Sequence, residues 1–224
     1  MPRALIAELA GTALLLMAVV GSGIMAERLA GGNVAVALLA NTLATGAALV
    51  ALIQTFGPLS GAHFNPAVSL ALALAGHFER RAVPAYATAQ IAGAVAGVWL
   101  AHLMFDLPLL QTGSTVRSGI GQWSGEIIAT FALLTVILAG VRQRSATLPW
   151  SVALTVVAAY WFTSSTSFAN PAVTLARALT DSFAGIRPAD APWFIAAQLA
   201  GTALALLLVR WLIPAGARRG AGEG

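Results

Sequence analysis

The sequence Ser-Gly-Ala-His-Phe-Asn-Pro-Ala-Val-Ser-Leu at residues 60–70 is the most informative segment of the chain, because its core recurs as Ser-Phe-Ala-Asn-Pro-Ala-Val-Thr-Leu at residues 167–175. In both copies the Asn suits a helix N-cap, and the Pro suits the first helical position, where a missing N–H costs nothing. The run from Asn65 to Gly76 is about a dozen residues, or roughly 18 Å of helix, about half of a ~30 Å hydrocarbon core. Each copy therefore predicts a half-helix whose N-terminus is a candidate binding end.

The composition is that of an integral membrane protein. Of the 224 residues, 58% are hydrophobic and 9% charged, whereas soluble domains carry about 25% charged residues. Six apolar runs are long enough to span a bilayer: Ala4–Met25, Val34–Phe56, Val83–Phe105, Trp123–Val141, Leu148–Thr163 and Ala191–Ile213. The first run would also suit a signal peptide, but its length and Glu8 favour an uncleaved span. The absence of cysteine excludes disulfides, thiolate metal sites and cysteine nucleophiles.

The distribution of arginine predicts the topology. All twelve basic residues are arginine. With a cytoplasmic N-terminus, six spans leave Arg28, Arg117, Arg177 and Arg187 outside. The other eight lie inside: Arg3, Arg80, Arg81, Arg142, Arg144, Arg210, Arg218 and Arg219. This excess predicts that both termini are cytoplasmic. Because no basic face or aromatic-basic module accompanies the charge, nucleic acid is not an expected partner.

The chain also contains an internal duplication. Glu8 and Glu126 each stand four residues before a Thr, and Gln90 and Gln198 each lie in a similar Ala-Gln-x-Ala-Gly segment. With the two Asn-Pro-Ala copies, three landmarks occur in the same order in each half. We predict one membrane domain over residues 1–224, with repeats at residues 4–105 and 122–213 and a linker at residues 106–121 that crosses an external surface as a loop.

Each half has three full spans, so the second half must enter the membrane from the opposite side. The two half-helices then meet near the midplane, where non-helical backbone is tolerated only beside a cavity or within protein. The predicted fold is an all-α membrane protein with six transmembrane helices and two re-entrant half-helices in an inverted 3+3 repeat. Its geometry calls for a pore or a midplane site.

The paired Asn-Pro-Ala motifs, Asn65-Pro66-Ala67 and Asn170-Pro171-Ala172, with the matched Glu and Gln residues, resemble the aquaporin and aquaglyceroporin (major intrinsic protein) family. The resemblance implies a homotetramer with one pore per subunit, through which water and small uncharged solutes flow passively. The two half-helix N-termini would each place roughly +0.5 charge at the midplane and repel cations. A passing solute would meet the Asn amides as donors and a ladder of loop carbonyls as acceptors: those of Gly61, Ala62, His63, Thr166, Ser167 and Phe168.

Counted from the motifs, the family's outer filter falls on Thr45, Ala158, Ser167 and Val173. The family normally has Arg where this chain has Val173, and water-selective members usually have an aromatic residue at Thr45 and His at Ala158. A group of bacterial members associated with metalloid handling lacks the filter arginine in a similar way. Because the four side chains are small or uncharged, we predict a wide constriction that passes glycerol, urea and undissociated arsenous acid as well as water.

Several alternatives remain open at this point. Glu8 and Glu126 would either couple transport to an ion or, as the resemblance implies, accept hydrogen bonds from the backbone N–H groups of the re-entrant loops. Arg177 lies one helical turn beyond Val173, either as a structural cation at the mouth or leaning into the pore to replace the missing arginine in part. For the whole chain, the alternatives are a water-selective aquaporin, an ion-coupled transporter and a non-conducting scaffold. No nucleophile–base pair or metal cluster suggests an enzyme, a cofactor or a metal site.

Overall fold

The computed structural model describes residues 1–213, and the elements within that range are all helical. Eight α-helices follow in order: α1 (Pro2–Leu29), α2 (Val34–Ser60), α3 (Pro66–Leu74), α4 (Val83–Met104), α5 (Ile120–Gln143), α6 (Leu148–Phe162), α7 (Pro171–Arg177) and α8 (Ala191–Leu212). Short 3-10 turns at Arg80–Ala82 and Pro188–Asp190 lead into α4 and α8. Arg218, Arg219 and the C-terminus, which enter the topology prediction, lie outside the described residues.

Five of these helices, α1, α2, α4, α5 and α8, are long and apolar enough to cross a membrane. The sixth predicted span corresponds to α6, which has only 15 residues. At 1.5 Å per residue α6 is about 22 Å long, shorter than a ~30 Å hydrocarbon core. The chain then continues as an irregular loop into α7. The predicted all-α arrangement of six longer helices and two half-helices is confirmed.

Both half-helices begin where the sequence predicts, and the first ends earlier than predicted. Asn65 and Asn170 cap them, with each side-chain oxygen accepting from a backbone N–H, that of Ala67 at 2.9 Å and that of Ala172 at 3.0 Å. Helix α3 has nine residues and α7 has seven. The chain turns at Gly76, whose φ of +81° suits glycine. The first half-helix is therefore about 14 Å long, not the roughly 18 Å estimated from sequence.

Glycines let the helices of each half approach closely. A side chain added at Gly93 or Gly97 of α4 would collide with the backbone carbonyl of Leu9 or Ala13 in α1. Gly201 of α8 stands in the same relation to Ile127 of α5. Small residues at these positions let the two helices of each pair pack closely. As a result Gln90 and Gln198, one turn before Gly93 and Gly201, are brought against Glu8 and Glu126.

The linker between α4 and α5 packs against the segment that follows α7. Gly113 N–H donates to the Ala178 carbonyl at 2.9 Å, and Arg187 N–H donates to the Thr115 carbonyl at 2.8 Å. A side chain at Gly113 would collide with the Ile186 carbonyl. The linker is therefore more than a surface connection, because it anchors the chain at the C-terminal end of the second half-helix.

Candidate pore and its polar end

The two half-helices meet at their N-termini through reciprocal hydrogen bonds. Asn65 Nδ2 donates to the Ala169 carbonyl at 2.8 Å, and Asn170 Nδ2 donates to the Phe64 carbonyl at 2.8 Å. Both Asn side chains are buried and line the same cavity. An amide nitrogen carries two N–H groups, so each Asn joins the two loops with one and keeps the other for a molecule in the cavity.

The loops that precede the motifs share an unusual backbone. Ala62 and Phe64 have φ near +50°, and so do Ser167 and Ala169, which occupy the same positions before Asn170. Left-handed backbone at a residue other than glycine costs about 1–2 kcal/mol. The two loops therefore need support from outside themselves.

Buried Glu8 supplies that support in the first half. Its Oε1 accepts from Ser60 Oγ at 2.6 Å and His63 N–H at 2.9 Å, and its Oε2 accepts from Phe64 N–H and Gln90 Nε2, both at 2.7 Å. The carboxylate is fully buried. Its oxygens are thus occupied by donors of α2, of the loop and of α4, which leaves little capacity for a transported ion.

Glu126 makes the equivalent contacts in the second half. Its Oε1 accepts from Phe168 N–H at 2.8 Å, and its Oε2 accepts from Ala169 N–H at 2.9 Å and Gln198 Nε2 at 2.7 Å. Gln198 also donates to Thr174 Oγ1 at 2.8 Å, just as Gln90 donates to Ser69 Oγ at 3.0 Å. Each carboxylate therefore holds its loop and ties it to the half-helix and the spanning helix beside it.

A cavity of about 130 Å³ runs along both loops, far more than the ~10–15 Å³ needed for one water molecule. Its wall is mostly aliphatic and comes from both halves: Leu15, Val19, Leu49, Ile53, Val68, Leu72, Leu133, Ile137, Val141, Leu148, Val152 and Val156. Of the six loop residues whose carbonyls the sequence analysis places along the pore, Gly61, Ala62, His63, Ser167 and Phe168 line the cavity and Thr166 does not. His63 is held beside the motif by Ser69 and lies against the rings of Phe78 and Tyr86.

Three of the four residues of the predicted filter, Thr45, Ser167 and Val173, line this cavity, and Ala158 does not. Ala158 is exposed, on the face of α6 that it shares with Leu154 and Trp161. The placement of Ala158 in the ring is therefore wrong. The physical reason is helical phase, because positions 148, 152, 156 and 160 follow one face of a helix.

Tyr160 occupies the place that was predicted for Ala158. It is buried and lines the cavity, and its hydroxyl lies 3.5 Å from Thr45 Oγ1. Counting back from Asn170 missed Tyr160, whereas the four-residue spacing from Val152 and Val156 would have found it. We refer to Thr45, Tyr160, Ser167 and Arg177 as the polar cluster.

Arg177 is buried and lines the cavity with the rest of the polar cluster. Its Nε donates to the Ala184 carbonyl, and its guanidinium carbon lies 3.4 Å from the centroid of the Phe168 ring. A second guanidinium, that of Arg117 in the linker, lies 5.1 Å from the same ring. No pattern in the sequence predicts this contact between Arg117 and the Phe168 ring.

Arg117 is fixed by hydrogen bonds and is not among the residues that line the cavity. Its Nε donates to the Gly185 carbonyl at 2.9 Å and its backbone N–H to Asp190 Oδ2 at 2.8 Å. Burial lowers the pKa of Arg117, and the charge of Glu126 opposes that shift.

Over residues 1–213, no group of three or more His, Asp or Glu side chains is arranged to hold a metal ion.

Comparison with known proteins identifies the family. The model described as Major intrinsic protein matches residues 1–148 and 140–223. Aquaglyceroporin AqpS of Rhizobium meliloti (strain 1021) is 58% identical over 211 residues, 94% of this chain and 90% of the relative. Aquaporin NIP1-4 of Oryza sativa subsp. japonica is 38% identical over 137 residues, which cover 60% of this chain and 49% of the relative.

A solved structure shows the same fold. The X-ray structure of the aquaglyceroporin from Plasmodium falciparum aligns with a TM-score of 0.68 at 24% sequence identity, covering 94% of each chain. The fold, the two family-model matches and the relative that aligns along most of both chains agree. The chain belongs to the major intrinsic protein family.

Proposed function

We propose that the chain is a passive membrane channel that admits water, glycerol, urea and undissociated arsenous acid. Members of the family are channels for water and small solutes and are not enzymes; the solute set is our proposal. The observation that carries it is the cavity between the joined loops, where an aliphatic wall is interrupted by a few donors and acceptors. A neutral solute exchanges its hydration for these polar groups as it passes.

The filter residues favour solutes larger than water. Val173 stands where the family normally has arginine, and Thr45 and Ser167 are small, so three sides of the ring carry little bulk. Cations are excluded by a separate feature, because the two half-helix N-termini meet at Asn65 and Asn170 with roughly +0.5 charge each. Size selection is therefore weak, and charge selection is strong.

Tyr160 supports a second candidate, a water-selective channel. An aromatic side chain in the ring narrows the passage, and the hydroxyl groups of Tyr160 and Thr45 lie close together. The permeability for glycerol relative to water separates the two candidates. An ion-coupled transporter has less support, because both intramembrane carboxylates are engaged by loop and glutamine donors.

The proposal includes the location and the assembly. We infer a bacterial inner membrane with both termini in the cytoplasm, supported by the arginine distribution and by the bacterial relative. We also infer a homotetramer with one pore per subunit, supported by the family. In the single chain, the outward face of α6 exposes Leu154, Ala158 and Trp161, which suits contact with lipid or with a neighbouring subunit.

Stopped-flow measurements on proteoliposomes test the function. We expect water, glycerol, urea and trivalent arsenite to equilibrate passively, faster than in protein-free liposomes. Rejection of glycerol would favour the water-selective candidate. Flux that saturates and follows an ion gradient would indicate a transporter, and absence of any flux would indicate a scaffold.

A further inference from the structure

Arg177 is a buried cation whose hydrogen-bonding capacity is mostly unused. The residue is 3% exposed, and its Nε is engaged by the Ala184 carbonyl. Among the described residues, its two terminal nitrogens have no hydrogen-bond acceptor, yet they are not sealed from solvent and the side chain lines the cavity. Because an unpaired buried charge is costly, these N–H groups require water or solute in the cavity as partners.

Within residues 1–213, no carboxylate lies within salt-bridge distance of the Arg177 guanidinium, and the charge of Glu126 acts on it only from farther away. The Phe168 ring lies against it at 3.4 Å, a contact that favours a cation over the aromatic face. The nearest cationic neighbour, Arg117, shares that ring and adds positive charge. Asp190 is committed elsewhere, to Arg187 and to the backbone of Arg117. The cavity therefore has one end with a fixed positive charge and free donors.

We propose that Arg177 is a selectivity residue of the channel. It supplies to the cavity the positive charge and the hydrogen-bond donors that Val173 lacks. This inference rests on the proposed function and deepens it. Arg177 lies one turn, roughly 6 Å, further along α7 than Val173. The positive barrier thus stands at a different level from the small residues of the ring. Cations are repelled without the ring being narrowed, and neutral solutes with oxygen acceptors still pass.

Urea and guanidinium form a matched pair of solutes for the test, since both are planar and of similar size and only guanidinium is charged. Native and variant proteins are reconstituted at equal amounts, and uptake of radiolabelled urea and of guanidinium at low concentration is measured. We expect native protein to pass urea and exclude guanidinium. Arg177→Met removes a unit charge beside the passage. This variant should raise the ratio of guanidinium uptake to urea uptake about tenfold or more.

Two further variants separate a selectivity role from a structural one. Arg177→Lys keeps the charge and should keep the native ratio. Arg117→Met removes a guanidinium from the same ring but outside the cavity, and it should lower thermal stability without raising the ratio. If Arg177→Met does not assemble, Arg177→Gln and Arg177→Lys give the same comparison between neutral and charged side chains.

The double variant Val173→Arg with Arg177→Met moves the charge back to the ring. It should again exclude guanidinium and should now also reduce glycerol flux relative to water. An unchanged ratio in Arg177→Met, or an equal rise in Arg117→Met, would overturn the role of Arg177 and leave the channel proposal intact. Native protein that passes neither urea nor glycerol would instead contradict the proposed function.

Discussion

Replacement of Glu8 by alanine should destabilise the protein strongly, and the structure allows the loss to be estimated. The change removes the acceptor of four donors: Ser60 Oγ, His63 N–H, Phe64 N–H and Gln90 Nε2. A buried donor left without its partner costs about 1–3 kcal/mol. The two side-chain donors can turn to other acceptors, but the two backbone donors are fixed in the loop. We therefore expect the free energy of unfolding to fall by about 2–6 kcal/mol, and by more if the side-chain donors also stay unpaired.

Thermal unfolding in detergent, with solute flux measured on the folded fraction, is the assay. Glu126→Ala should behave like Glu8→Ala, since it also strips two loop N–H groups, those of Phe168 and Ala169, of their acceptor. Glu27→Ala is the matched control, because Glu27 lies on the same helix as Glu8 but is exposed. It should leave the unfolding temperature near that of the native protein.

Two results would contradict this role of the Glu8 carboxylate. If Glu8→Ala unfolded at a near-native temperature and yet abolished flux, the carboxylate would act in transport. A loss of stability in Glu27→Ala as large as in Glu8→Ala would show that the loop hydrogen bonds are not the cause.

Three further predictions concern the passage itself. Asn65→Asp should admit cations, because a fixed negative charge offsets the positive half-helix ends; single-channel recordings check this, and a variant silent to ions that still moves neutral solutes would contradict it. Val173→Arg should lower the glycerol-to-water permeability ratio in proteoliposomes, and adding Thr45→Phe should lower it further; an unchanged ratio would place the constriction elsewhere. Tyr160→Ala should raise the same ratio and Ala158→Phe should leave it unaltered, whereas the reverse result would restore Ala158 to the ring.

The fold was predictable because its determinants are local and occur twice. An Asn N-cap followed by Pro starts a helix whatever surrounds it, and the matched Glu and Gln residues identify the two halves. The lengths of the half-helices were less predictable. The apolar run continues to Gly76, but the first half-helix ends at Leu74, because the chain has already entered the turn whose left-handed residue is Gly76.

The polar end of the cavity could be predicted only in part. Ser167 and Val173 are fixed by their short distance from Asn170, so counting along the chain places them in the cavity. The same count failed for Ala158, because the loop between α6 and α7 intervenes and the phase of α6 decides which side chain faces inward. Arg177 could not be placed from sequence, since its position depends on Phe168, on the Ala184 carbonyl and on the linker that carries Arg117.

The duplication separates what supports the loops from what selects the solute. Residues 105 positions apart, as Asn65 and Asn170 are, occupy equivalent places in the two half-helices. Val68 and Val173 are such a pair, and both line the cavity. Leu72 and Arg177 are another pair that lines it, and here the chemistry differs completely. The glutamate supports are equivalent in both halves, so the two ends of the cavity share one scaffold. The difference between Leu72 and Arg177 at equivalent positions makes one end aliphatic and the other cationic. Discrimination by charge beyond that of the joined Asn motifs should therefore reside at the Arg177 end.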